Sequence, residues 1–162
     1  MSLIKEVSYF FQEVELPVIV SDEYLSTFET ENPPLPIEFI DAILTWEKDV
    51  DEFTEYVSCF RLPDTGKYIG LVYWRGKLYT YDFFLATLDL NGKLISCKSI
   101  GGTHIDPNGT VTRSIASIEE DLTIKIMIGQ SKDGVQYSAN QSKSYFLEIL
   151  ENGEITMPME DE

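Results

Sequence analysis

The sequence predicts an α+β domain, in which short N-terminal helices pack on a curled antiparallel β-meander of about seven or eight strands, forming a sheet or an open barrel. Two observations predict this class. In residues 1–52 apolar positions recur at helical spacing, whereas residues 53–158 alternate with period two between glycine-containing turns. Several of the later strands are apolar on both faces, so one face of the sheet needs a covering layer, which the helices supply.

Length and composition favour one domain over residues 1–162, made of an acidic helical segment, 1–52, and a β-meander, 53–158. Apolar residues make up 43% of the chain and aromatic residues 12%, enough for a core without a disulfide or a metal. No apolar run is long enough to span a bilayer, so we expect a soluble protein that does not enter membranes. Cys59 and Cys97 fit buried thiols, and with no signal-peptide pattern at the start they predict a cytoplasmic location.

Three short helices are expected in the acidic segment. Residues 3–14 carry one helical stripe, formed by Leu3, Val7, Phe10, Phe11 and Val14. A proline then favours an extended stretch over residues 16–20. Ser21 can cap a second helix, and Pro36 suits the first position of a third helix that runs to about Trp46.

Glycine-containing turns divide the second segment into strands. Asn-Gly and Asp-Gly supply the positive φ angles of two-residue hairpin turns, so most connections should reverse the chain between neighbouring antiparallel strands. The turns are Asp64-Thr65-Gly66, Arg75-Gly76, Asn91-Gly92, Asn108-Gly109, Asp133-Gly134 and Asn152-Gly153. The predicted strands are roughly 54–62, 67–74, 77–90, 93–100, 110–117, 122–130, 144–151 and 154–158. Longer loops are expected at residues 101–109 and 131–143.

The charge is strongly negative and is unevenly distributed along the chain. The formal net charge is −16, and residues 1–60 contain fourteen acidic residues against two basic ones. A surface of this sign repels nucleic acid and suits a basic protein partner, although acidic surfaces also serve solubility alone. We interpret the run at 47–55 as a docking face with Trp46 as its anchor. The predicted partner-binding residues are Trp46, Glu47, Asp49, Asp51, Glu52 and Glu55.

Aromatic residues crowd the strands between residues 68 and 84. Such side chains fill ordinary sheets through cross-strand pairs, but in a curled sheet some of them can line a cavity for an apolar ligand. The alternative function is therefore that of a small-molecule-binding protein with an aromatic cavity. Its predicted ligand-binding residues are Tyr73, Tyr79, Tyr81 and His104.

No motif in the sequence marks an active site. His104 is the only histidine, and no Gly-x-Ser-x-Gly elbow supplies a nucleophile for it. Asp64-Thr65-Gly66 occurs once, whereas aspartic proteases need two such aspartates sharing a proton, so a hairpin turn is the simpler interpretation. The acidic run at 47–55 lacks the spacing of an EF-hand, and the glycine-rich nucleotide-binding motifs are absent.

The sequence thus favours a non-catalytic binding protein that engages a basic protein partner, as an inhibitor or an immunity-type neutraliser would. A hydrolase built around His104 is the third hypothesis. No cofactor and no metal ion is predicted, and the oligomeric state is left open.

Overall fold

The structure of the protein is a computed structural model that describes residues 3–48, 51–132 and 142–158. In these residues three short α-helices accompany a nine-strand antiparallel sheet, which runs mostly as a meander and does not close into a barrel. The predicted α+β class is confirmed.

The helices and strands alternate only near the N-terminus. The helices are α1 (Leu3–Phe10), α2 (Leu25–Glu31) and α3 (Ile37–Ala42), and a 3₁₀ turn, Asp22–Tyr24, leads into α2. The strands are β1 (Val18–Val20), β2 (Glu55–Arg61), β3 (Ile69–Lys77), β4 (Thr80–Leu88), β5 (Leu94–Ile105), β6 (Val111–Ile118), β7 (Thr123–Ser131), β8 (Lys143–Ile149) and β9 (Ile155–Thr156).

Strands β2 to β9 are neighbours in the sheet in the same order as in the chain. Strand β5 pairs with β6 only through residues 102–105, and β1 pairs with the remaining part of β6, with Val18 opposite Ile118. The last hairpin folds back over the middle strands, where Thr87 Oγ1 donates to Gly153 O at 2.6 Å and Ile155 N donates to Ser96 Oγ at 3.2 Å. These contacts curl the sheet around one of its faces.

The inner core fills the concave face of the sheet. Val20 from β1 and Phe28 from α2 pack there against side chains from β2 to β9, and most of these side chains are fully buried. The outer core covers the opposite face of β3 and β4. It is formed there by two side chains in or just after α1 and two on α3, namely Val7, Phe11, Phe39 and Ile40. The helical segment therefore provides the predicted second layer, and burial of these apolar side chains is the main favourable contribution to folding.

Two strand boundaries differ from the prediction around glycines. The turn expected at Arg75-Gly76 lies two residues later, because β3 pairs with β4 as far as Lys77 opposite Thr80. Gly76 stays in the strand, where a Cβ atom would overlap the indole ring of Trp74.

The loop expected at residues 101–109 is mostly strand. Gly101 pairs with Phe83 and Gly102 with Asp82, so β5 continues to Ile105. Gly102 has a φ of 130°, and a Cβ atom there would overlap the carbonyl oxygen of Tyr81. These glycines therefore permit close strand approach rather than a loop. The predicted Asp133-Gly134 turn lies outside the described residues.

Two helices end earlier than predicted. Helix α1 ends at Phe10 because the following residues join the edge of β2: Arg61 N donates to Gln12 O at 2.9 Å and Val14 N donates to Arg61 O at 3.1 Å. Helix α3 ends at Ala42, four residues before Trp46. None of the helices in the described ranges is long and apolar enough to cross a membrane.

Candidate functional site

Two of the residues predicted to bind a partner are used inside the molecule. The Trp46 indole Nε1 donates to the Tyr73 hydroxyl at 2.9 Å, and the Glu47 side chain is only 4% exposed. Trp46 and Glu47 are therefore already engaged within the chain, whereas the docking face was predicted to present both to a partner. Asp49 lies outside the described residues.

Glu47 is the centre of a buried ion pair. Arg75 Nη1 donates to both Glu47 carboxylate oxygens at 2.9 Å, and the Tyr56 hydroxyl donates to Oε1 at 3.0 Å. The Arg75 guanidinium also lies 4.5 Å from the ring centroid of Phe84. Burial, and then the neighbouring Glu47 carboxylate, raise the pKa of the Tyr56 hydroxyl. This network fastens the segment after α3 to the sheet.

The other three predicted acidic residues share one exposed turn, residues 51–55, which we call the 51–55 turn. Asp51 Oδ1 accepts hydrogen bonds from Phe53 N at 2.8 Å and from Thr54 Oγ1 at 3.0 Å. These hydrogen bonds lower the pKa of the Asp51 carboxyl. Glu52 and Glu55 are exposed, and Phe53 between them is 74% exposed.

An open pocket of about 550 Å³, which we call the turn pocket, lies beside the 51–55 turn. Trp74, which is buried, and Tyr81, which is half-buried, form an aromatic wall, with ring centroids 5.9 Å apart and planes 10° from parallel. Asp51, Glu55, Phe53, Lys77 and Leu78 also line it, and Leu78 is 75% exposed. The pocket thus combines aromatic surface with two carboxylates at the end of the inner core.

Trp74 carries a buried polar atom without a partner. The residue is 7% exposed, and its indole Nε1 has no hydrogen-bond acceptor among the described residues. A buried donor without an acceptor is uncommon, because it loses its bond to water and gains none in the protein. The site residues predicted from the sequence do not include Trp74, Phe53 or Leu78. The spacing of Trp74 and Gly76, on one face of a strand, is the signal that indicates a ring lying across the backbone.

Of the four residues predicted to line an aromatic cavity, only Tyr81 reaches the turn pocket. Tyr73 is fully buried in the outer core, where its ring stacks on Phe84 at 5.4 Å, so its assignment to a cavity is corrected. Tyr79 is 55% exposed at the β3–β4 turn. Adjacent strand residues point to opposite faces, so Tyr73 cannot share a cavity with Trp74.

His104 is paired with a buried aspartate. Its Nε2 lies 2.8 Å from Asp82 Oδ1, and the Ser99 hydroxyl donates to the same oxygen at 2.9 Å. Asp82 is 6% exposed, while the His104 side chain is 49% exposed. The carboxylate orients the imidazole, as in many acid–base sites. Ser99 donates to Asp82 rather than to His104, so the histidine does not activate this hydroxyl as a nucleophile.

The remaining sequence candidates for chemistry form ordinary structure. Asp64 Oδ1 accepts a hydrogen bond from Gly66 N at 2.8 Å, which makes the Asp64-Thr65-Gly66 segment a tight turn. Cys59 and Cys97 are unpaired, and burial raises the pKa of both thiols. Within the described ranges, no three His, Cys, Asp or Glu side chains come together in a way that could hold a metal ion.

Comparison with known proteins gives no relative from which a function can be transferred. No protein-family model matches the chain, and neither the curated proteins nor the solved structures contain a significant match. The function is therefore inferred from the chemistry of the site alone.

Proposed function

We propose that the protein is a non-catalytic binding protein whose 51–55 turn engages a basic protein partner. The observation that carries this proposal is the exposure of Glu52, Glu55 and Phe53 on one turn beside an open pocket. Carboxylates of this kind steer a basic partner toward the surface, and an exposed aromatic side chain is a common anchor at an interface.

The helical segment adds further exposed negative charge to the molecule. Its exposed carboxylates include those of Glu13, Glu15, Glu23, Glu29, Glu31, Glu38 and Asp41. Such charges act at distances up to about 10 Å at 0.1 M salt, so they raise the rate of encounter more than the strength of the final contact. An inhibitor or neutraliser of a basic protein fits this arrangement.

Charge reversal on the 51–55 turn tests the proposal. We expect Glu52→Lys/Glu55→Lys to abolish the low-salt capture of a basic protein from cell lysate, because it replaces attraction with repulsion at the contact. Asp51 is left unchanged because its carboxylate holds the turn. Retained proteins are identified by mass spectrometry, at low and at high salt.

The matched control is Glu120→Lys/Glu154→Lys, which makes the same change in net charge at exposed positions on the opposite ends of the strands. It should retain the same basic protein as the unmodified chain. If the two double variants lose or keep capture equally, the partner does not bind at the 51–55 turn and the proposal is wrong.

A second candidate function is the binding of a small apolar molecule in the turn pocket. The observation that favours it is the Trp74 and Tyr81 wall of a pocket of about 550 Å³, a volume within the range of ligand sites. Native mass spectrometry of the purified protein tests it. A co-purified small molecule that is lost on Tyr81→Ala would support this function, and a mass equal to that of the bare chain would count against it.

We also propose that the protein acts in the cytoplasm and does not bind nucleic acid. The unpaired thiols of Cys59 and Cys97 fit a reducing compartment, and the net charge of −16 opposes contact with phosphates. Cell fractionation checks the first statement, and a gel-shift assay with duplex DNA and with RNA checks the second.

A further inference from the structure

The turn pocket has the features of a site for a planar cation. The stacked rings of Trp74 and Tyr81 line the pocket, and Phe53 contributes a third, highly exposed ring to its lining. Aromatic faces attract cations within about 6 Å of the ring centroid. Gly76 makes the wall possible, because any larger residue there would displace the Trp74 ring.

The carboxylates at this pocket differ in what already surrounds them. Asp51 is engaged by Phe53 N and Thr54, and the Lys77 ammonium contributes to the lowered pKa of its carboxyl. Glu55 is exposed, lines the same pocket and is the carboxylate best placed to meet a ligand. A carboxylate next to aromatic rings can hold a guanidinium by its edge while the rings contact its face.

The indole N–H of Trp74 is a second, independent indication of a ligand. It is buried without an acceptor, and it belongs to a residue that lines the pocket. A peptide carries both features that complement this wall, since it offers a cationic side chain for the carboxylate and rings and a backbone carbonyl for the donor.

We infer that the turn pocket binds an arginine side chain presented by a peptide segment of the basic partner. Arginine is favoured over lysine because its guanidinium is planar and weakly hydrated, and because it stacks on aromatic rings while forming hydrogen bonds at its edge. This inference deepens the proposed function and rests on it for the identity of the ligand as a protein segment.

The test follows the two indole N–H signals of the isotope-labelled protein by NMR during titration. The probes are acetyl-Gly-Arg-Gly-amide and acetyl-Gly-Lys-Gly-amide, which have equal charge. Trp46 and Trp74 are the two tryptophans, and Trp46→Phe assigns their signals. We expect the Trp74 signal to shift saturably with the arginine peptide and about threefold more weakly with the lysine peptide. The Trp46 signal should stay in place, because its N–H is already bonded to Tyr73.

Glu55→Gln should weaken binding of the arginine peptide about threefold, while the matched Glu120→Gln should leave it unchanged. Phe53→Ala provides a second variant on a side chain that is 74% exposed and so does not threaten the fold. Phe53→Ala should also weaken binding of the arginine peptide. Equal shifts with the two peptides, a static Trp74 signal, or identical behaviour of the two glutamine variants would each overturn the inference.

Failure of the inference and failure of the proposed function have different signatures. If charge reversal on the 51–55 turn abolishes partner capture while the Trp74 signal ignores the arginine peptide, the docking surface stands and the arginine pocket is wrong. If the arginine peptide binds as expected while charge reversal leaves capture intact, the pocket stands and the proposed docking surface is wrong.

Discussion

At the scale of single residues, Asn32 joins three parts of the chain with one buried amide. Its Oδ1 accepts from Gln12 N at 3.1 Å, and its Nδ2 donates to the carbonyl oxygens of Phe28, Ser58 and Cys59 at 2.9 to 3.1 Å. The residue is 6% exposed. It ties the end of α2 and the segment after α1 to the edge strand β2.

We expect Asn32→Ala to lower the free energy of unfolding by about 2 to 3 kcal/mol, because it removes the side-chain hydrogen bonds to the Gln12 N–H and to three backbone carbonyl groups. Urea denaturation followed by circular dichroism measures the change. Asn91→Ala, at an exposed turn position, is the matched control and should cost less than about 0.5 kcal/mol. Similar losses in the two variants would show that the Asn32 amide does not hold these segments together.

Glu47 illustrates how far the sequence can specify a single residue. Glu47, Asp51, Glu52 and Glu55 lie in one acidic run, and nothing in their spacing separates the first from the others. Only the structure places Arg75 and Tyr56 against Glu47. A residue distant along the chain decides whether a carboxylate is a surface charge or half of a buried ion pair.

At the scale of elements, four hairpins share one loop geometry, at residues 89–93, 106–110, 119–123 and 150–154. In each, the first residue's N–H donates to the carbonyl of the fifth, and the fourth residue's N–H donates to the carbonyl of the first. The fourth residue has a positive φ; these residues are Gly92, Gly109, Leu122 and Gly153.

The sequence predicts the glycine turns from the local preferences of asparagine and glycine, and the structure shows a different turn type from the one expected. The loops resemble a type I turn followed by a bulge residue with positive φ, rather than the two-residue turns expected from Asn-Gly. The asparagine keeps a negative φ and its side chain caps the turn, as when Asn108 Oδ1 accepts from Thr110 N at 3.0 Å. The turns could be found from sequence because glycine and asparagine act locally.

We expect Gly109→Ala to lower the free energy of unfolding by about 1 kcal/mol, because alanine strains a φ of 86° while its Cβ meets no atom closer than 3.9 Å. Gly109→Asn should cost less, since asparagine tolerates this region better. Thermal unfolding of the three proteins measures the order. An alanine variant as stable as the unmodified chain would contradict the positive φ at this position.

Gly102→Ala is the comparison variant, because Gly102 has a positive φ and also has no space for a Cβ atom. Its Cβ would overlap the Tyr81 carbonyl oxygen, so the β4–β5 pairing itself must shift. We expect this variant to lose clearly more stability than Gly109→Ala in the same experiment. Equal losses would mean that the two strands separate at Gly102 without cost.

At the scale of the whole molecule, one sheet supports two cores. Strands β3 and β4 send alternate side chains to each side, such as Trp74 to the inner core and Tyr73 to the outer core. Both cores contain buried ionisable groups, because Cys59 lies in the inner core and Tyr73 and Cys97 belong to the outer one. Burial, first among the causes, raises the pKa of each of these groups.

This arrangement predicts a loss of stability in alkali. In the folded state the raised pKa values keep the protons bound, whereas the unfolded chain releases them near the ordinary values of 9.0 for cysteine and 10.0 for tyrosine. Unfolding then releases protons, so the free energy of unfolding is highest below about pH 9 and falls as the pH rises further. Urea denaturation between about pH 8 and pH 11 measures the slope.

Tyr56→Phe should make this fall shallower, because it removes one group whose pKa burial and the Glu47 carboxylate raise. Tyr79→Phe, on a side chain that is 55% exposed, is the control and should leave the slope unchanged. If stability is flat up to pH 11, or if the two variants give the same slope, then the buried hydroxyl groups do not control the alkaline transition.

The sequence by itself determined the local features of this protein. Helical stripes, period-two strands and glycine turns depend on neighbours a few residues apart, and they were enough to predict the α+β class, the meander and most strand positions. The uneven distribution of charge along the chain could also be read directly from the sequence. Two predicted boundaries were wrong at glycines: Gly76 accommodates the ring of Trp74, two residues away, and Gly102 accommodates the Tyr81 carbonyl of the neighbouring strand.

Only the tertiary structure decided which residues can form a site. Strand alternation places Tyr73 and Trp74 on opposite faces, but it does not say which face the helices cover or which opens into a pocket. The outer helices enclose Tyr73, while the open end of the inner core leaves Trp74 and Tyr81 beside the 51–55 turn. Side chains separated by tens of residues meet through packing, and packing is a property of the whole fold that no local pattern specifies.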